Sequence, residues 1–116
     1  MMKDETARKA VRRGRRFLST FRSTIDETIP IQIADTFLLV SENEGKGVVD
    51  LAELAGTNKS TMSRHLLDLS DTLRTGQPGY GLLTRTQDPG NLRSVLYTLS
   101  PRGKLLLGNL VGILED

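Results

Sequence analysis

Apolar residues within the first 25 positions recur at alternating steps of four and three, which predicts a helix with one continuous apolar stripe. The stripe consists of Ala7, Val11, Gly14, Leu18, Phe21 and Ile25. Phe17 and Phe21 lie on this helix, ahead of the segments that resemble a compact core. We therefore interpret the helix as a dimerisation arm, with its contacts at Val11, Leu18, Phe21 and Ile25.

Two shorter helices are predicted next. The first has Pro30 in its first turn and carries apolar residues on one side until the glycines within residues 45–47. The second is expected to begin at Asp50, whose carboxylate can accept hydrogen bonds from the freed backbone N–H groups, while Glu53 can reach back to the cap. Gly56 follows, so this helix is short.

The segment from Asp50 to Leu73 has the spacing of a helix-turn-helix unit. Ala52 is small enough for the two helices to approach closely, and Gly56 suits a turn with positive φ. Asn58 is expected to cap the longer second helix. Residues spaced four, three and four apart give this helix a core-facing arc, formed by Met62, Leu66, Leu69 and Leu73.

The outer face of that second helix is the candidate DNA-reading surface. Ser60 and Arg64 lie nearly opposite the apolar arc, Thr61 and Ser63 flank it, and Lys59 occupies the first turn. Short hydroxyl side chains let the backbone approach a major groove, and an arginine can donate two hydrogen bonds to guanine O6 and N7. The alternative is an ordinary amphipathic helix with a polar face.

A glycine-rich loop then leads to a predicted β-hairpin. The stretches over residues 82–86 and 94–99 are strand-like and flank the turn signal at residues 88–91. A hairpin behind a recognition helix is a wing, with Asn91 and Arg93 at its tip and Arg85 on its first strand as further DNA contacts. Arg93 could enter a minor groove or hold a phosphate. The alternative is an exposed hairpin whose arginine contacts nothing.

From Val49 to Lys104 the chain resembles the MarR family of winged helix regulators. LAELAGTNKSTMSRHLLDL resembles the family's helix-turn-helix, and DPGNLRSVLYTLSPRGKLLL resembles its wing and the start of its C-terminal helix. The family's wing tip usually has Asp-x-Arg, whereas this chain has Asn91-Leu92-Arg93. The resemblance implies a homodimer on a pseudo-palindromic DNA duplex, with repression by blocking a promoter as the simplest outcome. Related regulators often bind small aromatic effectors, but nothing in this sequence indicates one.

Charge is distributed unevenly along the chain. Eight basic and two acidic residues give positions 1–25 a formal charge of +6, while eight basic and twelve acidic residues give the remainder −4. A basic partner surface, if present, therefore begins at the N-terminus. The alternatives are a solvated helix face or a frayed basic tail.

Length and composition favour one domain with one function. The 116 residues include no cysteine and one histidine, His65, which is expected to be a packed residue or a phosphate donor and not a metal ligand. The sequence predicts no catalytic residues, no cofactor, no membrane segment and a cytoplasmic location. We expect a mainly α winged helix-turn-helix fold with a small β-hairpin (α+β): a basic dimerisation helix over 1–28, a DNA-binding domain over 29–100 and a C-terminal helix over 101–116. A plasmid or phage replication or partition protein, or another non-regulatory winged helix module, is the alternative function.

Overall fold

The computed structural model describes residues 4 to 115, which form five helices and one two-stranded antiparallel sheet. The elements in chain order are α1 (Glu5–Thr24), α2 (Ile31–Glu42), α3 (Val48–Ala55), α4 (Lys59–Ser70), β1 (Leu83–Asp88), β2 (Asn91–Leu99) and α5 (Pro101–Glu115). The expectation of a mainly helical chain with one hairpin is confirmed. The first three residues and the last, which belong to the predicted terminal segments, lie outside the described residues. None of the helices between residues 4 and 115 is long and apolar enough to span a bilayer.

The chain divides into two compact units. One runs from Pro30 to Lys104 and holds α2, α3, α4, the hairpin and the first turn of α5. The other combines the described residues up to Ile29 with those from Leu105 onwards. The predicted N-terminal and C-terminal helices therefore fall largely into the same unit.

The core of the 30–104 unit lies between three helices and the hairpin. α4 packs against α2, α3 and β1, while α2 also contacts β2. The predicted arc of α4 is buried at Met62, Leu66 and Leu69. Further fully buried side chains of this core are Phe37, Val40, Leu51 and Leu82. Truncating one such leucine to alanine typically costs about 2–5 kcal/mol, so this core fixes the position of α4.

α3 begins two residues before the predicted cap. Its first residue is Val48 and its N-cap is Gly47, which offers no side-chain hydrogen bond. The prediction that Asp50 caps the helix is wrong, because pairing with β2 determines where the helix starts. The Tyr97 N–H donates to the Lys46 carbonyl at 3.0 Å, and a Cβ on Gly47 would lie 3.1 Å from the Val95 carbonyl oxygen. Asp50 instead lies in the first turn, where its negative charge interacts favourably with the helix dipole.

The turn between α3 and α4 follows the prediction. Gly56 adopts φ +70°, a left-handed conformation that ends α3. The Asn58 side chain accepts a 2.7 Å hydrogen bond from the backbone N–H of Thr61 and so caps α4. These two local features set the start of α4, the candidate recognition helix.

α4 ends at Ser70, so the prediction that Leu73 extends its apolar arc is wrong. The chain turns away because the loop after the helix folds back on itself: the Leu73 N–H donates to the Gln77 carbonyl at 2.8 Å, and the Gly79 N–H donates to the Asp71 carbonyl at 2.7 Å. Leu73 is consequently half-buried in this loop.

The hairpin pairs β1 with β2 in register from Leu83 opposite Leu99 to Gln87 opposite Val95. The register then shifts, and Asp88 pairs with Asn91 across a two-residue turn. At its base the chain passes directly into α5. The Ser100 hydroxyl accepts a 3.0 Å hydrogen bond from the Gly103 N–H and donates to the Gly81 carbonyl at 2.6 Å. The wing and the first turn of α5 are thus held together within one unit.

In the other unit the α1 stripe is only partly exposed. Phe21 is 2% exposed and contacts Phe17 edge-on at a ring-centroid distance of 5.5 Å. Ile25 is half-buried, whereas Val11 and Leu18 are 47% and 54% exposed. Of the four residues assigned to dimerisation, Phe21 is therefore already covered within the chain, and Val11 and Leu18 offer apolar surface to a partner.

Candidate nucleic-acid interface

The first turns of α4 present a small polar surface. Lys59, Ser60 and Ser63 are exposed, and Thr61 is half-buried above the cap of Asn58. Ser60 lies on the side of the helix away from the buried arc, Thr61 and Ser63 flank the arc, and Lys59 lies in the first turn. Three short hydroxyl side chains and one flexible ammonium group can approach a nucleic acid closely without bulky obstruction.

Arg64, on the same face, is held within the chain. Its Nε and Nη2 donate to Asp68 Oδ1 at 3.2 and 2.8 Å, and Nη2 also donates to the Thr72 carbonyl. The two side chains of this ion pair are only 27% and 18% exposed. Arg64 was expected to contact a base edge; in the free chain its donors link α4 to the loop that follows it.

Arg85 on β1 connects the wing to the end of α4. It lies opposite Tyr97 in the hairpin, and its Nη1 is 3.0 Å from Asp71 Oδ2. Hydrogen bonds to Tyr97 and then to Asp71 raise the pKa of Arg85 above its ordinary value. The side chain, charged like any arginine, therefore joins the wing to the end of α4.

The wing tip is stiffened by two side-chain contacts to the backbone. Asp88 Oδ1 accepts a 2.9 Å hydrogen bond from the Gly90 N–H, and Asn91 Oδ1 accepts a 3.1 Å hydrogen bond from the Arg93 N–H. Asn91 thus orders the backbone of the tip, in the manner of an Asx turn. The side chain of Arg93 is exposed beside it.

A cleft of about 440 Å³ lies between the wing, α4 and the start of α3. It brings together three of the predicted DNA contacts, Ser63, Arg85 and Arg93. Its lining also includes Asp50 and Asp88, together with apolar residues from α3 and β2. Lys59 and Ser60 lie about one helical turn before Ser63, so the first turn of α4 and the wing form one continuous candidate interface.

Sequence reasoning missed two acidic residues at this interface, Asp68 and Asp71. The first was detectable, because Arg64 and Asp68 are four residues apart, the spacing at which helical side chains pair. The second was not, because Asp71 meets Arg85 only once the hairpin has folded back onto the end of α4.

His65 lies between α2 and α4 and not at this interface. Its Nδ1 is 3.4 Å from the Thr36 hydroxyl, and the ring is half-buried. Within residues 4–115 there is no group of three or more histidine, cysteine, aspartate or glutamate side chains that could hold a metal ion.

Comparison with known proteins gives matches among solved structures alone. No model of a protein family and no curated protein matches the chain. The crystal structure of MarR is 18% identical with a TM-score of 0.62, over 97% of this chain and 77% of MarR. A mutant of MepR from S. aureus bound to an oligodeoxyribonucleotide is 17% identical with a TM-score of 0.68, over 91% of this chain and 70% of MepR. The transcriptional repressor CouR bound to a 23-mer DNA duplex is 22% identical with a TM-score of 0.63, over 100% of this chain and 74% of CouR. The chain therefore has the winged helix fold of MarR-like transcriptional regulators, as the resemblance of its sequence implied.

Proposed function

We propose that this chain is a sequence-specific regulator of transcription that binds double-stranded DNA as a homodimer and represses by occupying a promoter in the cytoplasm. The observation that carries the proposal is the continuous surface formed by α4 and the wing, in which Ser63, Arg85 and Arg93 line one cleft. Two neighbours of the same fold, the MepR mutant and CouR, are bound to DNA in their structures, and CouR is described as a repressor. No small-molecule effector is assigned.

The proposed contacts divide by chemistry. Exposed Lys59, Ser60 and Ser63, with half-buried Thr61, approach base edges and phosphates in a major groove. Arg93 enters the adjacent minor groove or holds a phosphate, while Asn91 orders the wing tip and Arg85 adds a cation that is also tied to Asp71. Arg64 contacts a base edge once its intramolecular partners release it.

Dimerisation is proposed to use residues 4–29 and 105–115, because exposed apolar side chains are concentrated there. Val11 and Leu18 on α1 are joined by Leu105, Val111 and Leu114 on α5, each at least 40% exposed. A standard interface buries about 800 Å² on each partner, which helices of 20 and 15 residues can supply. Two-fold symmetry then places one α4 in each of two half-sites.

Selection from a pool of random DNA duplexes tests the proposal. The expected product is an inverted repeat whose half-site centres lie about 10–10.5 base pairs apart or a multiple of that spacing. Ser63→Glu places a negative charge in the interface and is expected to abolish enrichment. Gln32→Glu adds the same charge at an exposed position of α2 and serves as the matched control, which should still select the repeat. Failure of the unaltered chain to enrich any sequence would refute the proposal.

A further inference from the structure

We propose that Asp68 limits the DNA affinity of this chain by competing with a guanine for the side chain of Arg64. The inference rests on the proposed function and adds a residue that controls it. Asp68 is a positioning residue, because it acts on DNA only through Arg64.

The Arg64 guanidinium group is engaged in hydrogen bonds within the chain. The group has five N–H donors, one on Nε and two on each terminal nitrogen. Asp68 Oδ1 takes the Nε hydrogen and one Nη2 hydrogen, and the Thr72 carbonyl takes the other Nη2 hydrogen. Three of the five donors are therefore used inside the chain, and both remaining donors are on Nη1.

This arrangement prevents the preferred contact with guanine. A bidentate contact to O6 and N7 requires donors on two different nitrogens, arranged as a fork. Nη1 alone does not supply a fork, so Arg64 must first give up Asp68 or Thr72. If Asp68 merely oriented Arg64 toward a base, the second Nη2 hydrogen would face the base and not the Thr72 carbonyl.

The competition is strong because the acceptors differ in charge. The hydrogen bonds between Arg64 and Asp68 join two groups of opposite charge, whereas a base edge is a neutral acceptor for the same guanidinium group. Both partners are also shielded from water, at 27% and 18% side-chain exposure. The apparent DNA affinity falls in proportion to the fraction of molecules in which Arg64 is released. Removing the carboxylate charge should raise that fraction.

The test measures the affinity of four full-length proteins for the duplex selected by the unaltered chain. They are the unaltered chain, Asp68→Asn, Arg64→Ala and the double variant. Asp68→Asn replaces the carboxylate by a neutral amide acceptor, which weakens the attraction for the Arg64 guanidinium group and should tighten DNA binding about tenfold. The gain should disappear in the Arg64→Ala background, where no arginine is left to release. This dependence distinguishes competition for Arg64 from a general loss of negative charge near DNA.

Two further variants keep the result interpretable. Asp68→Ser removes the same charge with a shorter side chain, so it should reproduce the gain even if the asparagine variant is poorly folded. Glu53→Gln removes a carboxylate from the exposed side of α3, and its gain should be much smaller than that of Asp68→Asn. Thermal unfolding of each variant confirms that the folded state is being compared.

Two outcomes would overturn the inference. Neutral variants of Asp68 that bind equally or more weakly would mean that Asp68 supports DNA binding or is irrelevant to it. A gain that persists without Arg64 would mean that only the local charge matters. Both outcomes differ from failure of the proposed function, in which the unaltered chain selects no duplex at all.

Discussion

Gly103 is the position at which the structure makes its sharpest prediction about stability. It lies buried in the first turn of α5, and a Cβ built there would meet the Leu82 carbonyl oxygen at 2.1 Å and the Leu82 carbonyl carbon at 3.1 Å. Gly103→Ala therefore forces either the base of β1 or the start of α5 to move. Leu82 resists, because its N–H donates to the Leu69 carbonyl at 2.8 Å and its carbonyl accepts from the Ser100 N–H at 2.9 Å.

The expected magnitude follows from two opposing effects. Alanine favours a helix over glycine by about 1 kcal/mol. Overpacking against fixed neighbours costs about 1–3 kcal/mol and sometimes more, and a methyl group 2.1 Å from a pinned backbone oxygen belongs at the upper end. We expect Gly103→Ala to lower the free energy of unfolding by about 2 kcal/mol or more.

Two other glycines of α5 provide matched controls. Gly108 and Gly112 are exposed, and a Cβ at either would meet nothing within 4 Å. Alanine there should leave stability unchanged or raise it by up to about 1 kcal/mol. Urea unfolding followed by circular dichroism, at one protein concentration for all variants, measures the differences. A Gly103→Ala variant as stable as the two controls would refute the packing described for this turn.

Four further predictions concern DNA binding and assembly. Arg64→Ala should weaken binding to the selected duplex by about 1–3 kcal/mol and relax preference at one position per half-site, and full retention of specificity in titrations would contradict its assignment to the interface. Val11→Asp combined with Leu18→Asp should convert the dimer to monomers in sedimentation. This double variant keeps the buried Phe21, which a truncation near residue 26 would remove. A dimer that stays intact would place the interface on another surface. Neutralising Arg12, Arg13, Arg15 and Arg16 of α1 should flatten the slope of log binding constant against log salt concentration by about 0.9 for each DNA phosphate that they no longer neutralise, and an unchanged slope would contradict this role. Replacing Arg93 should lower DNA affinity more on a duplex with an A·T-rich flank, and equal losses of affinity on both flanks would contradict its entry into the minor groove.

Features predicted correctly from the sequence depend on interactions between near neighbours in the chain. Gly56 takes its positive φ and Asn58 caps α4 through contacts within four residues. The buried arc of α4 follows from the helical period alone. The order of helices and the hairpin could be predicted for the same reason, because each element carries its own apolar period and its own turn residues.

Features missed from the sequence depend on segments that meet only after folding. Asp50 has the residues of a cap around it, but pairing of Lys46 with Tyr97 starts α3 earlier. Leu73 continues the spacing of α4, but the loop after Ser70 pairs with itself and ends the helix. Phe21 continues the α1 stripe and is nevertheless buried within its own chain. A periodic pattern identifies an apolar face and does not tell which partner covers it.

Arg64 illustrates the same limit at the candidate interface. The helical period correctly separates it from the buried arc, and its chemistry suits guanine. The pattern does not show that Thr72, beyond the end of the helix, accepts one of its hydrogens. The sequence therefore predicts which face of α4 Arg64 occupies, but the hydrogen bonds of Arg64 depend on the folded loop after the helix.

Nuclear magnetic resonance can establish whether α4 and the wing together bind DNA. Backbone amide signals of the isotope-labelled chain are followed while the selected duplex is added, with a scrambled duplex of equal length and composition as the control. We expect the largest changes specific to the selected duplex on residues 59–63 and 91–93. Specific changes confined to other parts of the chain, with these two segments unaffected, would contradict it.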